Sequence, residues 1–123
     1  MKKLILLIIL YLPISVIAQK IYVEKADGGA EKVLIDKLLT TKYQVTFKED
    51  SADYILKTNV KKMSLGRAKG GVILVNAKSG ALISKSKDIM GSAKLANGYD
   101  NPVADVLRKT AKKYLVEMIE KLN

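Results

Sequence analysis

The chain contains no histidine and no cysteine. These absences remove the commonest general base and the thiol nucleophile. They also exclude disulfides and thiolate metal sites. A zinc centre would have to rest on carboxylates alone, an unusual ligand set. What remains for chemistry is carboxylates, serines and lysines. Glu49 with Asp50, Asp53, and Asp100 with Asp105 are the carboxylates that acid–base work would draw on. All fall at turns or helix starts, where acids cap and are solvated, so they are read as structural. Ser84 and Ser86 stand among Lys85 and Lys87, the residue types of a serine–lysine dyad. A dyad needs nucleophile and base within reach of each other in a pocket. Alternating positions along a strand do not establish that, and no catalytic residue is assigned.

Two glycine-rich segments complete this survey. Asp27-Gly28-Gly29 precedes a helix, where backbone amides can hold an anion. Neither a Walker lysine–serine pattern nor GxGxxG follows, so the segment reads as a tight strand-to-helix turn, and no cofactor is expected. Gly66-Arg67-Ala68-Lys69-Gly70-Gly71 reads as a basic, flexible hairpin tip. It is the first place to expect an anionic partner. Arg67 and Lys69, with Lys61 and Lys62 at the end of the preceding strand, are the candidate binding residues, and Lys85 and Lys87 are candidates to lie alongside. Strand alternation sends Lys61 and Lys62 to opposite faces, so only part of this group can form one patch.

Charge supports such a partner. Lys and Arg number 22 against 12 Asp and Glu, a formal net charge of +10. A basic protein is drawn to lipid phosphates, acidic polysaccharide or acidic protein faces. Scattered lysines also serve simply as a solvated surface. Nucleic acid is not the expected partner. The lysines are spread along the chain, Phe47 is the only phenylalanine and tryptophan is absent, so the stacking platforms of single-strand binders are missing.

The amino terminus gives an address. Lys2 and Lys3 precede an apolar run from Leu4, broken by Pro13 and Ser15 and closed by Val16-Ile17-Ala18. This is the layout of a secretory signal peptide, cleaved after Ala18 to leave Gln19 first. The alternative is a membrane anchor, but the run to Ile17 falls short of the about 20 residues a spanning helix needs. Residues 1–18 are therefore expected to be a signal and 19–123 a single secreted or periplasmic domain. Membrane contact after cleavage is then at most peripheral. Without cysteine a lipid-modified amino-terminal cysteine is excluded. The Ala-Gln junction resembles those of secreted proteins of Bacteroidetes-type Gram-negative bacteria.

The elements that must position these groups follow from periodicity. Lys20 to Lys25 alternates as a short strand. Val33, Leu34 and Leu38 mark the buried stripe of a helix from Ala30 to about Thr41. Tyr43, Val45 and Phe47 give a second strand. Ala52 to about Met63 is the longest strand, with Tyr54, Leu56, Thr58 and Val60 on one face. Gly71 to Ala77 is nearly all apolar and reads as central. After a turn at Lys78-Ser79-Gly80, Ala81 to Ile89 returns as its partner. Met90 to Asp100 has no clear period and reads as a loop. Asn101 and Pro102 are a favoured N-cap and first residue of a final helix. Val103, Leu107, Ala111, Tyr114 or Leu115, Met118 and Leu122 form its apolar stripe. The order implies a two-layer α+β domain: one mixed four- to five-stranded sheet with two helices packed on one face.

Ala52-Asp53-Tyr54-Ile55-Leu56 resembles the strand start common in small bacterial envelope domains, and Val75 to Ile83 resembles their strand–turn–strand hairpin, with Asn76 in place of the usual aspartate. Both are similar to the amino-terminal domain of TolB and the related domain of CsgG-type curli secretion proteins. The resemblance implies a non-enzymatic assembly or interaction domain of the cell envelope and transfers no catalytic residue. The other readings are a carrier of an anionic small molecule or lipid headgroup, and a small envelope hydrolase. Intact-mass measurement of protein from a Gram-negative envelope is expected to show a chain starting at Gln19. A species beginning at Met1 and resisting carbonate extraction would establish the anchor instead.

Overall fold

Alternating apolar and polar side chains build the strands, and polar turns end them. The computed structural model describes residues 19–93 and 101–122. Their order is β1 (Lys20–Val23), α1 (Lys32–Leu38), β2 (Gln44–Thr46), β3 (Tyr54–Met63), β4 (Arg67–Asn76), β5 (Leu82–Lys85), β6 (Ile89–Ser92), α2 (Pro102–Thr110) and α3 (Val116–Glu120). The expected signal, Ala18 included, lies outside the described residues, as does the expected loop from residue 94 to 100.

The sheet is mixed, as expected. Its order is β2-β1-β3-β4-β5, and β6 also pairs with β4. β1 runs parallel to both β2 and β3. β3 pairs antiparallel with β4, and β4 antiparallel with β5 and β6. α1 lies in the crossover that the parallel β1–β2 pair requires. It is shorter than the sequence suggests. The hydroxyls of Thr40 and Thr41 donate to the carbonyls of Lys37 and Leu38 (2.6 and 2.5 Å), satisfying acceptors that the helix end leaves open. β2 ends before Phe47, which is exposed rather than continuing the buried alternation.

Three boundaries differ from expectation around β4. The segment Gly66 to Gly71 is not a loop: the turn occupies 64–66, and Arg67 begins a strand of 10 residues. Gly70 is there for close approach, since a Cβ would lie 2.0 Å from the carbonyl oxygen of Asn59 on β3. The expected strand Ala81 to Ile89 is two strands. After β5 the Ser86 hydroxyl turns back to accept from the Val72 N–H (2.9 Å), and pairing with β4 resumes at Ile89. Met90 therefore belongs to β6 and not to a loop.

α1 and the final helix, α2 continued by α3, pack on one face. Ile21, Val23, Leu56, Val72 and Leu74 from the sheet meet Leu34, Leu38, Val106, Leu107 and Leu115 from the helices. The final helix starts as expected: Asn101 Oδ1 accepts from the Val103 N–H (3.0 Å), with Pro102 next. Asn101 Nδ2 also donates to the Asp27 carbonyl (2.7 Å), fastening α2 to the β1–α1 turn. Asp27 itself makes no cap; its carboxylate pairs with Lys62. α2 runs into α3 through a π turn at Ala111–Leu115. That turn brings Leu115 rather than Tyr114 fully into the core.

Leu107 is fully buried and Lys112 is exposed. Leu107→Ala is expected to cost about 2–5 kcal/mol by the usual cavity penalty, and Lys112→Ala within about 0.5 kcal/mol of nothing. Equal thermal melts for the two variants would contradict this packing.

Candidate functional site

Alternation along β3 and β4 divides the sheet into two chemically different faces. Leu56, Val72 and Leu74 point to the helices. The other face carries the buried pair Ile55 and Val75 at one end, then Lys57, Asn59, Lys61 and Met63 from β3 and Arg67, Lys69 and Ile73 from β4. Register sets Lys61 opposite Lys69, Met63 opposite Arg67, and Lys57 opposite Ile73. Lys85 follows across Ile73, and Met90 across Lys69. Lys57, Lys61, Arg67, Lys69 and Lys85 thus share the face away from the helices. Lys61, Arg67, Lys69 and Lys85 are exposed and Lys57 is half-buried. No strand of the sheet contains an acidic residue. Lys61 and Lys69 are directly opposed like charges, an arrangement that destabilises a strand pair.

Of the residues named from sequence, the structure brings Lys61, Arg67 and Lys69 together. It places them on paired strands rather than on a flexible tip. Lys62 points to the helix side, opposite Ala68, and its ammonium meets the Asp27 carboxylate at 2.5 Å. Lys87 lies past the end of β5 and lines a cleft with Ser84 and Ser86. Gln19 is held beside β1: its carbonyl accepts from the Gln44 N–H (3.0 Å) and its side-chain amide donates to the Tyr54 hydroxyl (3.2 Å). Sequence reasoning set Lys57 on the face of Lys61 by strand alternation but did not name it as a binding residue. It also missed Leu65, which occupies the β3–β4 turn at φ 62 with 85% of its surface exposed.

The groups considered for catalysis are dispersed. Glu49 and Asp50 sit exposed on a single helical turn. The Asp53 carboxylate accepts from the Lys20 N–H (2.9 Å), and Asp100 lies outside the described residues. Among the described residues no hydrogen bond joins Ser84 or Ser86 to a lysine. No group of three or more acidic side chains there is placed to hold a metal ion. No described helix is long and apolar enough to cross a membrane. Burial, then the neighbouring Tyr54, pushes the Tyr43 phenol above its ordinary value, and its hydroxyl donates to the Ile119 carbonyl (3.4 Å).

Asp105 is fully buried in the first turn of α2. Its carboxylate accepts from the Ser92 N–H of β6 (3.0 Å) and from the Arg108 guanidinium (2.9 Å), and it pairs with the Lys109 ammonium (3.2 Å). Burial opposes ionisation, but the Ser92 N–H, Arg108 and Lys109 together outweigh it and hold the group below the ordinary carboxylate value. Lys109 also donates to the Met90 carbonyl (3.1 Å). These partners belong to the helix and the strand, so the carboxylate fastens β6 to α2.

No protein-family model matches the chain, and no characterised protein matches it by sequence. Among solved structures it is similar to a minor lipoprotein from Acinetobacter baumannii, with a TM-score of 0.52 and 14% identity. The likeness covers 86% of this chain and 94% of that one. At that identity the two share a fold.

The Asp105 clasp generates a pH dependence of known sign. A carboxylate held below its unfolded value stabilises the fold above pH about 4, and that stability is lost as pH falls through the folded-state value. Denaturant melts from neutral to strongly acidic pH are expected to show this loss in the wild type. Asp105→Asn is expected to be less stable near neutrality, by about 1–3 kcal/mol for a weakened buried hydrogen-bond set, with a flatter acid limb. An unchanged acid limb in the variant would assign the dependence to another group.

Proposed function

We propose that this chain is a non-enzymatic interaction domain of the bacterial cell envelope that rests the open face of its sheet on an anionic membrane surface. The observation that carries the reading is the directly opposed Lys61–Lys69 pair, flanked by Arg67, Lys57 and Lys85, on a sheet whose strands hold no acid. Alone, that arrangement repels itself. Lipid phosphates above it convert the repulsion into attraction. The rim supports a lipid partner over a soluble polyanion. Met63, Leu65 and Met90 are exposed apolar side chains around the same cations, suited to sit among headgroups while the lysine and arginine heads meet phosphate.

Three further features agree with an envelope setting. The first residues have the layout of a cleaved signal. The fold likeness is to a protein described as a minor lipoprotein. The Ala52–Leu56 and Val75–Ile83 segments resemble those of TolB-like envelope domains. In the hairpin, Asn76 does the work of the usual aspartate: its Oδ1 accepts from the Lys78 and Ser79 N–H groups (2.9 and 3.1 Å). The hydrolase reading draws no support from the dispersed serines and carboxylates.

The test is co-sedimentation with phosphatidylglycerol-containing vesicles across a salt series, with phosphatidylcholine vesicles and a soluble acidic polysaccharide as comparisons. Binding is expected on the anionic vesicles and is expected to weaken as salt rises, because screening acts over about 8 Å at physiological strength. Each interfacial cation contributes about 1 kcal/mol, so Arg67→Gln with Lys69→Gln is expected to lower partitioning about thirtyfold. Lys32→Gln with Lys112→Gln, on exposed helix positions, removes the same charge and is expected to matter less. Equal losses would leave only net charge as the cause. Binding to the polysaccharide but not to vesicles would replace the lipid partner.

A further inference from the structure

A second feature lies on the helix side of the sheet and shares only Lys85 with the basic face. Ser84 pairs with Leu74 in register, so its side chain points toward the helices. Only 5% of the residue is exposed, and its buried Oγ has no hydrogen-bond partner. A buried hydroxyl left unpaired is costly, and native proteins rarely keep one without a use. Beside it runs a cleft of about 220 Å³, lined from the strand side by Ser84, Ser86 and Lys87 and from the helix side by Tyr114, Glu117 and Lys121. Ser86 accepts a backbone N–H through its Oγ, which leaves its own proton to donate. Tyr114 enters the cleft from the π turn Ala111–Leu115, a distortion that is frequent at functional sites.

We propose that this cleft binds a phosphate group. Hydroxyl and ammonium donors outnumber its one carboxylate. A carboxylate ligand offers two oxygens to them, whereas a phosphate offers up to four, all acceptors when ionised. The Ser84 hydroxyl gains the partner it lacks, and Lys87 and Lys121 supply charge from opposite walls. Glu117 gives the site a direction: it repels bare phosphate but accepts from an ammonium carried on the same ligand. The shared chemistry is the phosphate, and its source is either the free ion or a zwitterionic headgroup.

The experiment is an amide NMR titration of the protein with inorganic phosphate and, separately, with glycerophosphoethanolamine. Saturable shifts are expected at residues 84–87 and 114–121. Ser84→Ala removes a hydroxyl with no partner inside the fold, so its melting temperature is expected to be unchanged or higher while affinity falls about tenfold. Lys121→Gln is expected to weaken both ligands. Glu117→Gln is expected to strengthen inorganic phosphate and weaken glycerophosphoethanolamine. Tighter binding of the headgroup analogue assigns the site to lipid, and tighter binding of the ion assigns it to free phosphate. The proposal is overturned if neither ligand shifts these residues, if the shifts follow the Lys61–Lys69 face instead, if Ser84→Ala binds like the wild type, or if that variant melts lower.

Discussion

A fully buried carboxylate in a chain with so large an excess of lysine is the constraint on which much else rests. Asp105 cannot keep its charge without donors, and its donors come from two elements, the backbone of β6 and the side chains of α2. Satisfying the charge therefore fixes the helix against the strand. The packing there leaves no slack. A Cβ on Gly91 would come within 2.7 Å of the Val106 nitrogen and 2.8 Å of the Pro102 carbonyl oxygen. Hydrogen bond and close contact act at the same place. β6 in turn pairs with Arg67 to Gly70, the half of β4 that β5 does not reach. Without the clasp the segment holding Arg67 and Lys69 would be an edge, free to fray.

The sheet then separates two kinds of work. Its helix side is apolar and stabilises the fold by burial. Its other side carries cations in register, which burial does not need and which repel one another. The acids among the described residues lie in turns, helices and connecting segments. Neutralisation of the lysines within the sheet is thus left to something outside it. Among the described residues, the ion pair made by a lysine of β3, Lys62 with Asp27, uses the lysine on the wrong face for the patch and is too exposed to contribute much.

Periodicity made most of the architecture legible in advance. The alternation in Tyr54–Met63 gave its faces, and Asn101-Pro102 gave the start of the last helix, because both signals are local. What failed was local evidence with a non-local cause. Gly70 read as part of a loop, but it serves the close approach of Asn59 across the sheet. Met90 to Ser92 lack a period because their partner is the distant Arg67–Lys69 segment. Asp105 read as an ordinary helix-start acid. Its burial depends on β6, which the sequence does not announce. For the candidate site, Lys61, Arg67 and Lys69 were visible as charge, while their shared face depended on knowing that β4 begins at Arg67.

Leu65 links these points. At φ 62 a leucine carries a penalty of about 1–2 kcal/mol that glycine or asparagine would avoid. It gains nothing from the core, since 85% of its surface is exposed. A purely structural turn would favour one of the small residues. The side chain makes sense where the tip meets an apolar environment that the folded chain does not supply, next to cations that the folded chain does not neutralise. One anionic, partly apolar surface meets both demands at once. A soluble polyanion meets only the second.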